Sequence, residues 1–90
     1  MIFCKRRMCP AGQVTEFYMQ LSCLKWKVKN FTGGDIYVSI GAYDSINNMR
    51  IAPGECDIVI DRDAHTGTRR TSRILQIYAE AAGEVQVMCV

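Results

Sequence analysis

The chain has 90 residues, of which 49% are hydrophobic, and its formal net charge at pH 7 is +2. A chain of this length forms one domain with a modest core, and its net charge is too small to imply a nucleic-acid or membrane partner through net electrostatics. Its apolar runs fall short of the roughly 20 residues that span a bilayer. The first apolar residues precede the first charges, the reverse of a secretory signal, so we expect synthesis in a cytoplasm.

Residues 1–13 are predicted to form an N-terminal arm that precedes a single β-domain at 14–90. The arm carries a basic cluster at Lys5, Arg6 and Arg7 and ends in turn-forming residues. Chain ends of small domains fray unless something holds them. An ordered arm would therefore be docked, either on its own domain or on a neighbouring subunit.

Residues 14–60 follow a strand pattern. The first strand, at 14–21, is rich in aromatic residues, and after it Leu24, Trp26 and Val28 alternate with lysines. Successive side chains of a strand point to opposite faces, so this apolar trio is predicted to face the core and the lysines to face solvent.

A turn and another strand are predicted next. Residues 30–35 contain two glycines able to take the positive φ of a tight turn, so they are predicted to join two strands as a hairpin. In the second of these strands, 36–40, the even-numbered residues are predicted to face the core. Its odd-numbered residues, Tyr37 and Ser39, are predicted to face the other way.

The rest of the chain combines turns, a loop and one ambiguous segment. A Pro-Gly pair at 53–54 predicts a turn, and 61–72, which is polar and without periodicity, predicts a long exposed loop. Residues 74–82 fit both a helix and a strand, and we favour the strand; 85–89 alternate as a closing strand. The whole pattern predicts an all-β fold, a small antiparallel β-sandwich or barrel of about six to eight short strands with an N-terminal arm.

The chain contains five cysteines. Their odd number and the lack of a secretory segment argue against a disulfide framework. Cys23, Cys56 and Cys89 lie among strand residues, where free cysteine behaves as a small buried hydrophobe. Cys4 and Cys9 lack the second pair of ligands that zinc sites use. Neither a metal nor a cofactor is expected.

Residues 25–29 interleave lysines with Trp26, which is the combination that oligonucleotide-binding barrels use to contact phosphates and stack bases. The strand period, however, places Trp26 on the face opposite the neighbouring lysines, so the pattern favours a core tryptophan under a solvated lysine face. Further basic residues at 5–7 and 69–70 could contact an acidic partner, but specific nucleic-acid binding needs a broader basic stripe.

No catalytic constellation is recognised. Asp61 and Asp63 begin like a calcium loop, but the later bidentate glutamate is missing and Arg62 supplies a counter-charge. His65 is the single histidine, and the sequence places neither a nucleophile nor an orienting partner beside it. Phosphate-cradling and nucleophile-elbow motifs are absent from the sequence. Enzyme activity is therefore not expected.

Short motifs follow one another in a set order along the larger, C-terminal part of the chain. They are a strand ending in Asn at 28–30, an Asp-Ile-Tyr-Val segment at 35–38, an Ile-Ala-Pro-Gly-Glu turn at 51–55, an Ile-Tyr-Ala strand end at 77–79 and Gly-Glu-Val-Gln-Val at 83–87. This order resembles a family of small bacteriophage virion modules, which are β-sandwich or β-barrel domains that decorate or complete particles.

The resemblance implies a non-enzymatic structural subunit of a bacteriophage virion, made in the bacterial host cytoplasm and attached to the capsid or at the head–tail or tail region. It implies capsid, portal or tail subunits as partners and a homo-oligomer or many copies per particle, with no membrane or nucleic acid involved. Residues 1–13 and 61–72 depart from the family pattern and are expected to supply the contacts. The expected contact residues are Ile2, Phe3, Lys5, Arg6, Arg7, Arg62, His65, Arg69 and Arg70.

Two other functions remain open from the sequence. One is a small nucleic-acid-binding β-barrel, for which the lysines beside Trp26 are the relevant feature. The other is a phage-encoded regulator that binds a host protein and is absent from particles. The three functions differ in the partner that the surface of the domain has to recognise.

Overall fold

The computed structural model describes residues 3–23, 25–60 and 72–89. Within these ranges the chain forms eight β-strands, arranged in two four-stranded antiparallel sheets. The strands are β1 (Phe3–Cys9), β2 (Gln13–Cys23), β3 (Lys25–Asn30), β4 (Ile36–Ile40), β5 (Met49–Ile51), β6 (Cys56–Ile60), β7 (Ser72–Ala79) and β8 (Gly83–Cys89). One hydrophobic core lies between the sheets. The predicted all-β antiparallel fold is confirmed, and of the two predicted architectures, sandwich or barrel, the sandwich is the one observed.

The order of the strands is that of a jelly roll. One sheet has the order β1-β8-β3-β6 and the other has the order β2-β7-β4-β5. Among the described strands, consecutive ones therefore lie in different sheets, except for β4 and β5, which pair directly. An eight-stranded double sheet wound in this way is a jelly roll built from two Greek keys.

The core is formed by the inward-facing residues of both sheets. Trp26, Val28, Ile36 and Val38, all predicted to lie in the core, are buried, while Leu24 lies outside the described residues. Burial of one such side chain stabilises a fold by roughly 1.5–3 kcal/mol. Other hydrophobic side chains with no exposed area are Phe17, Ile51, Leu75, Ile77, Ala79, Val85 and Val87.

The predicted hairpin at residues 30–35 is wrong. β3 pairs with β6 and β8, whereas β4 pairs with β5 and β7, so this segment carries the chain from one sheet to the other. Neither Gly33 nor Gly34 has a positive φ. The glycines gave the appearance of a hairpin turn, but a buried side chain before them determines the path.

That side chain is the amide of Asn30, which is fully buried. Its Nδ2 donates to the main-chain oxygens of Gly34 at 2.8 Å and Ile51 at 3.0 Å. Its Oδ1 accepts from the N–H of Thr32 at 2.8 Å and from the Thr32 hydroxyl at 2.7 Å. Both donors and both lone pairs of the amide are thus satisfied, and the crossing is bonded to the end of β5.

The Pro-Gly turn predicted at 53–54 is confirmed. Gly54 has φ 78°, and the N–H of Glu55 donates to the oxygen of Ala52 at 3.1 Å, as in a type II turn. The turn packs against the same crossing through two backbone hydrogen bonds. The N–H of Gly54 donates to the main-chain oxygen of Asn30 at 2.8 Å, and the N–H of Asn30 donates to the main-chain oxygen of Glu55 at 3.0 Å.

Of the two structures that fit residues 74–82, the favoured strand is confirmed. β7 pairs with β2 on one side and with β4 on the other, and it ends at Ala79. A short turn leads to Gly83, the first residue of β8. A Cβ atom at Gly83 would lie 2.6 Å from the Cα of Thr32, so only glycine fits this close approach of two backbones.

The first half of the predicted arm is a strand of the sandwich itself. β1 pairs with β8 along its whole length, from Phe3 opposite Cys89 to Cys9 opposite Gly83. Of the two docking partners considered for the arm, its own domain is the one observed for residues 3–9. Residues 3–13 therefore belong to the β-domain.

The expectation that no disulfide forms is wrong. Cys23 at the end of β2 and Cys89 at the end of β8 are bonded, with their Cα atoms 5.6 Å apart, so the disulfide joins the two sheets. Cys56, expected to be buried, is exposed because it lies on the outer side of β6. Alternation along a strand does not reveal which cysteines of distant strands will meet.

Replacing Asn30 by alanine is expected to lower the free energy of unfolding by about 2–4 kcal/mol, because the Ile51 main-chain oxygen loses a donor and the Thr32 N–H loses its side-chain acceptor in a buried site. Urea unfolding followed by Trp26 fluorescence measures this change. The matched control is Asn48→Ala, which removes an amide bonded to the Asp44 oxygen on the outer loop and should change stability by about 0.5 kcal/mol or less. Equal losses for both variants would contradict the role assigned to Asn30.

Reduction of the Cys23–Cys89 bond, whose cysteines are 66 residues apart, is expected to lower the free energy of unfolding by about 2–4 kcal/mol, because the unfolded chain loses a constraint. Thiol titration in denaturant should give three thiols without reductant and five after reduction. A variant with serine at both positions should be insensitive to reductant. Finding all thiols free in purified protein that has been exposed to an oxidant would refute the bond.

Candidate interaction surfaces

The adjacent edges of the two sheets are closed by basic side chains. The Nζ of Lys5 donates to the main-chain oxygen of Tyr18 at 2.7 Å, and Nη1 of Arg7 donates to the main-chain oxygen of Glu16 at 2.5 Å. β1 and β2 are edge strands of different sheets, so these cations connect the sheets. They also occupy carbonyl groups that an added strand would need, which is a recognised way of protecting an edge.

The other two edges are protected as well. On β6, the N–H of Ile58 donates to the side-chain Oδ1 of Asp57 at 2.8 Å, which leaves it unavailable to a further strand. β5, the edge of the second sheet, is only three residues long. Short edge strands and local capping both oppose strand addition. Among the described residues, the two broad outer faces of the sandwich therefore remain open to partners.

The structure separates the expected contact residues. Lys5 and Arg7 are engaged with β2, whereas Arg6 lies on the outer side of β1, with its Nε 3.6 Å from Oε1 of Glu84. Phe3 begins β1. The predicted loop up to residue 71 lies outside the described residues, and so do the remaining expected contacts, Ile2, Arg62, His65, Arg69 and Arg70.

The outer side of the β1-β8-β3-β6 sheet is basic, and we call it the lysine face. Its cations are Arg6 on β1 and Lys25, Lys27 and Lys29 on β3, which register and alternation place on the same side. Among the described side chains that point outward from this sheet, Glu84 is the single carboxylate. The lysines lie on the outer side as predicted.

Apolar side chains lie between these cations. Met8 is 70% exposed, Phe31 48% and Ile58 49%, and the Nζ of Lys29 lies 5.0 Å from the centre of the Phe31 ring. Apolar groups bordered by charges are typical of a contact surface. An open depression of about 270 Å³ on the same face is lined by Lys27, Lys29, Cys56, Gln86 and Met88.

Trp26 is fully buried on the inner side of β3, opposite the lysines, which confirms the core assignment. A platform of stacked bases beside Lys27 therefore cannot use this ring. Within the described residues, the indole Nε1 of Trp26 has no hydrogen-bond partner. Phe31, at the end of the lysine face, is the only ring among the described side chains of that surface.

The outer side of the β2-β7-β4-β5 sheet carries a cluster of tyrosines, and we call it the tyrosine face. The ring centre of Tyr78 lies 6.2 Å from that of Tyr37 and 5.9 Å from that of Tyr43, whose plane is inclined by 27°. Tyr37 and Tyr78 are register partners on β4 and β7. Tyr43 belongs to the loop that follows β4, and its N–H donates to Oε1 of Gln76 at 2.8 Å.

Hydrogen bonds hold residues 41–48 over this face. Ser39 lies on the outer side of β4 as predicted, yet it is buried, because the loop covers it and the Asp44 N–H donates to its Oγ at 3.1 Å. The Asp44 carboxylate accepts from the N–H groups of Ile46 at 2.8 Å and Asn47 at 3.1 Å, and these bonds lower the pKa of Asp44. The loop thus has a defined shape that places its tyrosine on the sheet.

Carboxylates surround the tyrosines. The hydroxyl of Tyr37 donates to Oε1 of Glu80 at 2.7 Å, and Oδ2 of Asp35 lies 3.7 Å from Nη1 of Arg50. Glu16 on β2 lies on the same outer side. Among the described side chains that point outward from this sheet, Arg50 is the single cation. The tyrosine face is therefore acidic, while the opposite face is basic.

Within the described ranges, cysteine and carboxylate side chains do not converge on a metal-binding geometry. Cys4 is exposed and Cys9 is buried, on opposite sides of β1, and burial raises the pKa of the Cys9 thiol above its ordinary value. No cluster of three or more histidine, cysteine or acidic residues that could hold a metal occurs in the described part of the chain. Nor do the described residues contain a helix long and apolar enough to cross a membrane.

Sequence reasoning missed the tyrosine face as a unit. It placed Tyr37 on an outer side, but residues 74–82 fitted two structures and so left the direction of Tyr78 open. Tyr43 lies in a loop, where no period indicates a direction. Sheet order decides that these three rings meet, and the sequence of a single chain carries no direct signal for it.

The comparisons with known proteins find no match for this chain among protein-family models, curated proteins or solved structures. The chemistry of the lysine and tyrosine faces is therefore the basis for inferring a function.

The pKa of Tyr37 is raised above its ordinary value of about 10, first by its hydrogen bond to Glu80 and then by desolvation and the neighbouring carboxylates. The folded-state pKa of Tyr37 lies above its unfolded-state value. The contribution of the neutral Tyr37 hydroxyl to folding stability is therefore fully present below pH about 10 and is lost as the pH rises through the folded-state pKa. Absorbance titration of the phenols should show one tyrosine that ionises at a higher pH than the others and that is missing in Tyr37→Phe. Glu80→Gln should lower the pH at which Tyr37 ionises, whereas the control Glu55→Gln should leave it unchanged. An unchanged titration in Glu80→Gln would contradict this account.

Proposed function

We propose that the chain is a non-enzymatic structural subunit of a bacteriophage virion, attached to the capsid or at the head–tail or tail region, and that it works through protein–protein contacts. The observation that carries the proposal is the jelly-roll order of its two sheets, an architecture used by viral capsid domains. The motif order that resembles small phage virion modules points in the same direction. Because folds host many functions, the surface provides the second support.

The surface suits assembly by broad contacts. All four sheet edges carry features that oppose strand addition, namely the cations of β1 bonded to β2, the Asp57 cap and the short β5. The two outer faces present exposed apolar and aromatic side chains bordered by charge. Repeated subunit contacts need such surfaces and require no catalytic group.

The proposed partners are capsid, portal or tail subunits together with further copies of the chain, after synthesis in the bacterial host cytoplasm. The disulfide fits this life cycle in a specific way. A reducing cytoplasm keeps thiols free, so the Cys23–Cys89 bond is expected to close once the particle leaves the cell. A particle subunit has to survive outside the cell, where this connection between the sheets adds stability.

The lysine face favours a second candidate function, a nucleic-acid-binding module. Lys27 and Lys29 lie exposed on one strand beside an open depression, and such cations can contact phosphates. The opposite face is acidic, and the described lysine face carries one ring, Phe31, in place of a row of stacking aromatics. These features favour the virion proposal.

Mass spectrometry of particles from a phage that encodes the chain is expected to find it at a fixed ratio to the major capsid protein. Gradient purification and a high-salt wash remove adsorbed host proteins, and a host chaperone quantified in the same sample is the control. Absence of the chain from washed particles would overturn the proposal. Retention of an oligonucleotide by the purified chain at low salt, lost in Lys27→Glu, would favour the second candidate.

A further inference from the structure

We propose that the lysine face of one copy of this chain docks on the tyrosine face of a second copy, so that copies associate head to tail. The inference deepens the proposed function and rests on it for the many copies that a virion brings together. It names the occupant of both faces, a second copy of the same chain. It is carried by the charges, the apolar side chains and the position of the two faces on the sandwich.

The charges of the two faces are complementary. Outward-pointing cations on the lysine face are Arg6, Lys25, Lys27 and Lys29, with Glu84 as the opposing charge. Outward-pointing carboxylates on the tyrosine face and its covering loop are Glu16, Asp35, Asp44 and Glu80, with Arg50 as the opposing charge. Complementary potentials steer two surfaces together and fix their orientation.

The uncharged groups of the two faces also match. Met8, Phe31 and Ile58 stand exposed on the lysine face, and Val14 and Tyr18 are 44% and 48% exposed on the tyrosine face. Tyrosine and methionine are enriched in the centres of protein interfaces, and methionine sulfur makes favourable contacts with aromatic rings. A contact between the faces would bury apolar groups inside a rim of opposite charges.

The position of the faces determines the kind of assembly. They lie on opposite outer sides of one sandwich, so a contact between them uses a different surface from each copy and leaves one free face at either end. Such a heterologous contact gives a ring if the rotation closes and a filament if it does not. Contacts between two lysine faces or two tyrosine faces would bring like charges together and are disfavoured.

A second copy fits the lysine face better than nucleic acid does. Phosphate-binding surfaces are rich in polar donors and stacking rings, whereas exposed Met8 and Ile58 and the partly buried Met88 lie among these cations. Another copy supplies carboxylates and apolar groups on one surface.

The test uses the full-length chain and two double variants. Lys27→Glu with Lys29→Glu makes both faces acidic, and Glu16→Lys with Glu80→Lys makes both faces basic. The controls are Arg73→Glu and Glu55→Lys, which reverse exposed charges on neither face. Sedimentation velocity and native mass spectrometry at low and high salt measure self-association, and urea unfolding checks that each variant is folded.

At low salt the unaltered chain should form species larger than the monomer, and high salt should weaken them because screening reduces the attraction. Each double variant should associate at least roughly a hundredfold more weakly, since juxtaposed like charges cost several kcal/mol. Both controls should behave as the unaltered chain. An equimolar mixture of the two double variants should associate again, because the acidic faces of one meet the basic faces of the other.

Three results would overturn the inference. One is a monomer at every concentration and salt level, and another is association that survives the Lys27 and Lys29 reversal. The third is low-salt binding of a labelled oligonucleotide that requires Lys27 and Lys29, without self-association, which would assign the face to nucleic acid. If the chain is nevertheless present in washed particles, the proposed function stands and only the head-to-tail contact fails.

Discussion

Four hydrogen bonds to one buried amide, that of Asn30, hold together the end of the sandwich at which the chain changes sheets. The amide side chain of Asn30 bonds Thr32 and Gly34 in the turn and Ile51 at the end of β5. The backbone of Asn30 forms hydrogen bonds with the turn at 52–55. Thr32 in turn lies against Gly83, where β8 begins. The amide thus stabilises the segment that carries the chain from β3 in one sheet to β4 in the other.

The two outer faces depend on that order. Arg6 comes from β1 and the lysines from β3, and β8 lies between these strands, so the basic surface exists only when all three are in place. The tyrosine face likewise needs β7 beside β4 and the loop that carries Tyr43 folded over Tyr78. Fold and candidate site are thus linked through strand neighbours, because both faces of the described sandwich are built from strands that are distant in the sequence.

Alternation along single strands was sufficient to place Trp26 and Val28 in the core and the lysines outside, because the two sides of a strand follow from its period. Alternation does not say which strands are neighbours, and here that information decides the site. The glycines at 33 and 34 predict a hairpin turn, but in the structure neither has a positive φ, and the hydrogen bonds of Asn30 fix a crossing between the sheets. The Cys23–Cys89 bond and the contact of Tyr43 with Tyr78 each join residues that are far apart in the sequence. Alternation within a single strand gives no information about such contacts.

The pairing of β1 with β8 has a consequence for the order of events during synthesis. Contacts between segments that are far apart in the sequence form slowly. β1 is synthesised first of the described strands and cannot pair until β8, the last of them, has been synthesised. Until β8 arrives, β1 and β3 have no common neighbour and the surface that they share does not exist. A chain that stops before β8 therefore lacks the strand that lies between β1 and β3 and cannot form that surface.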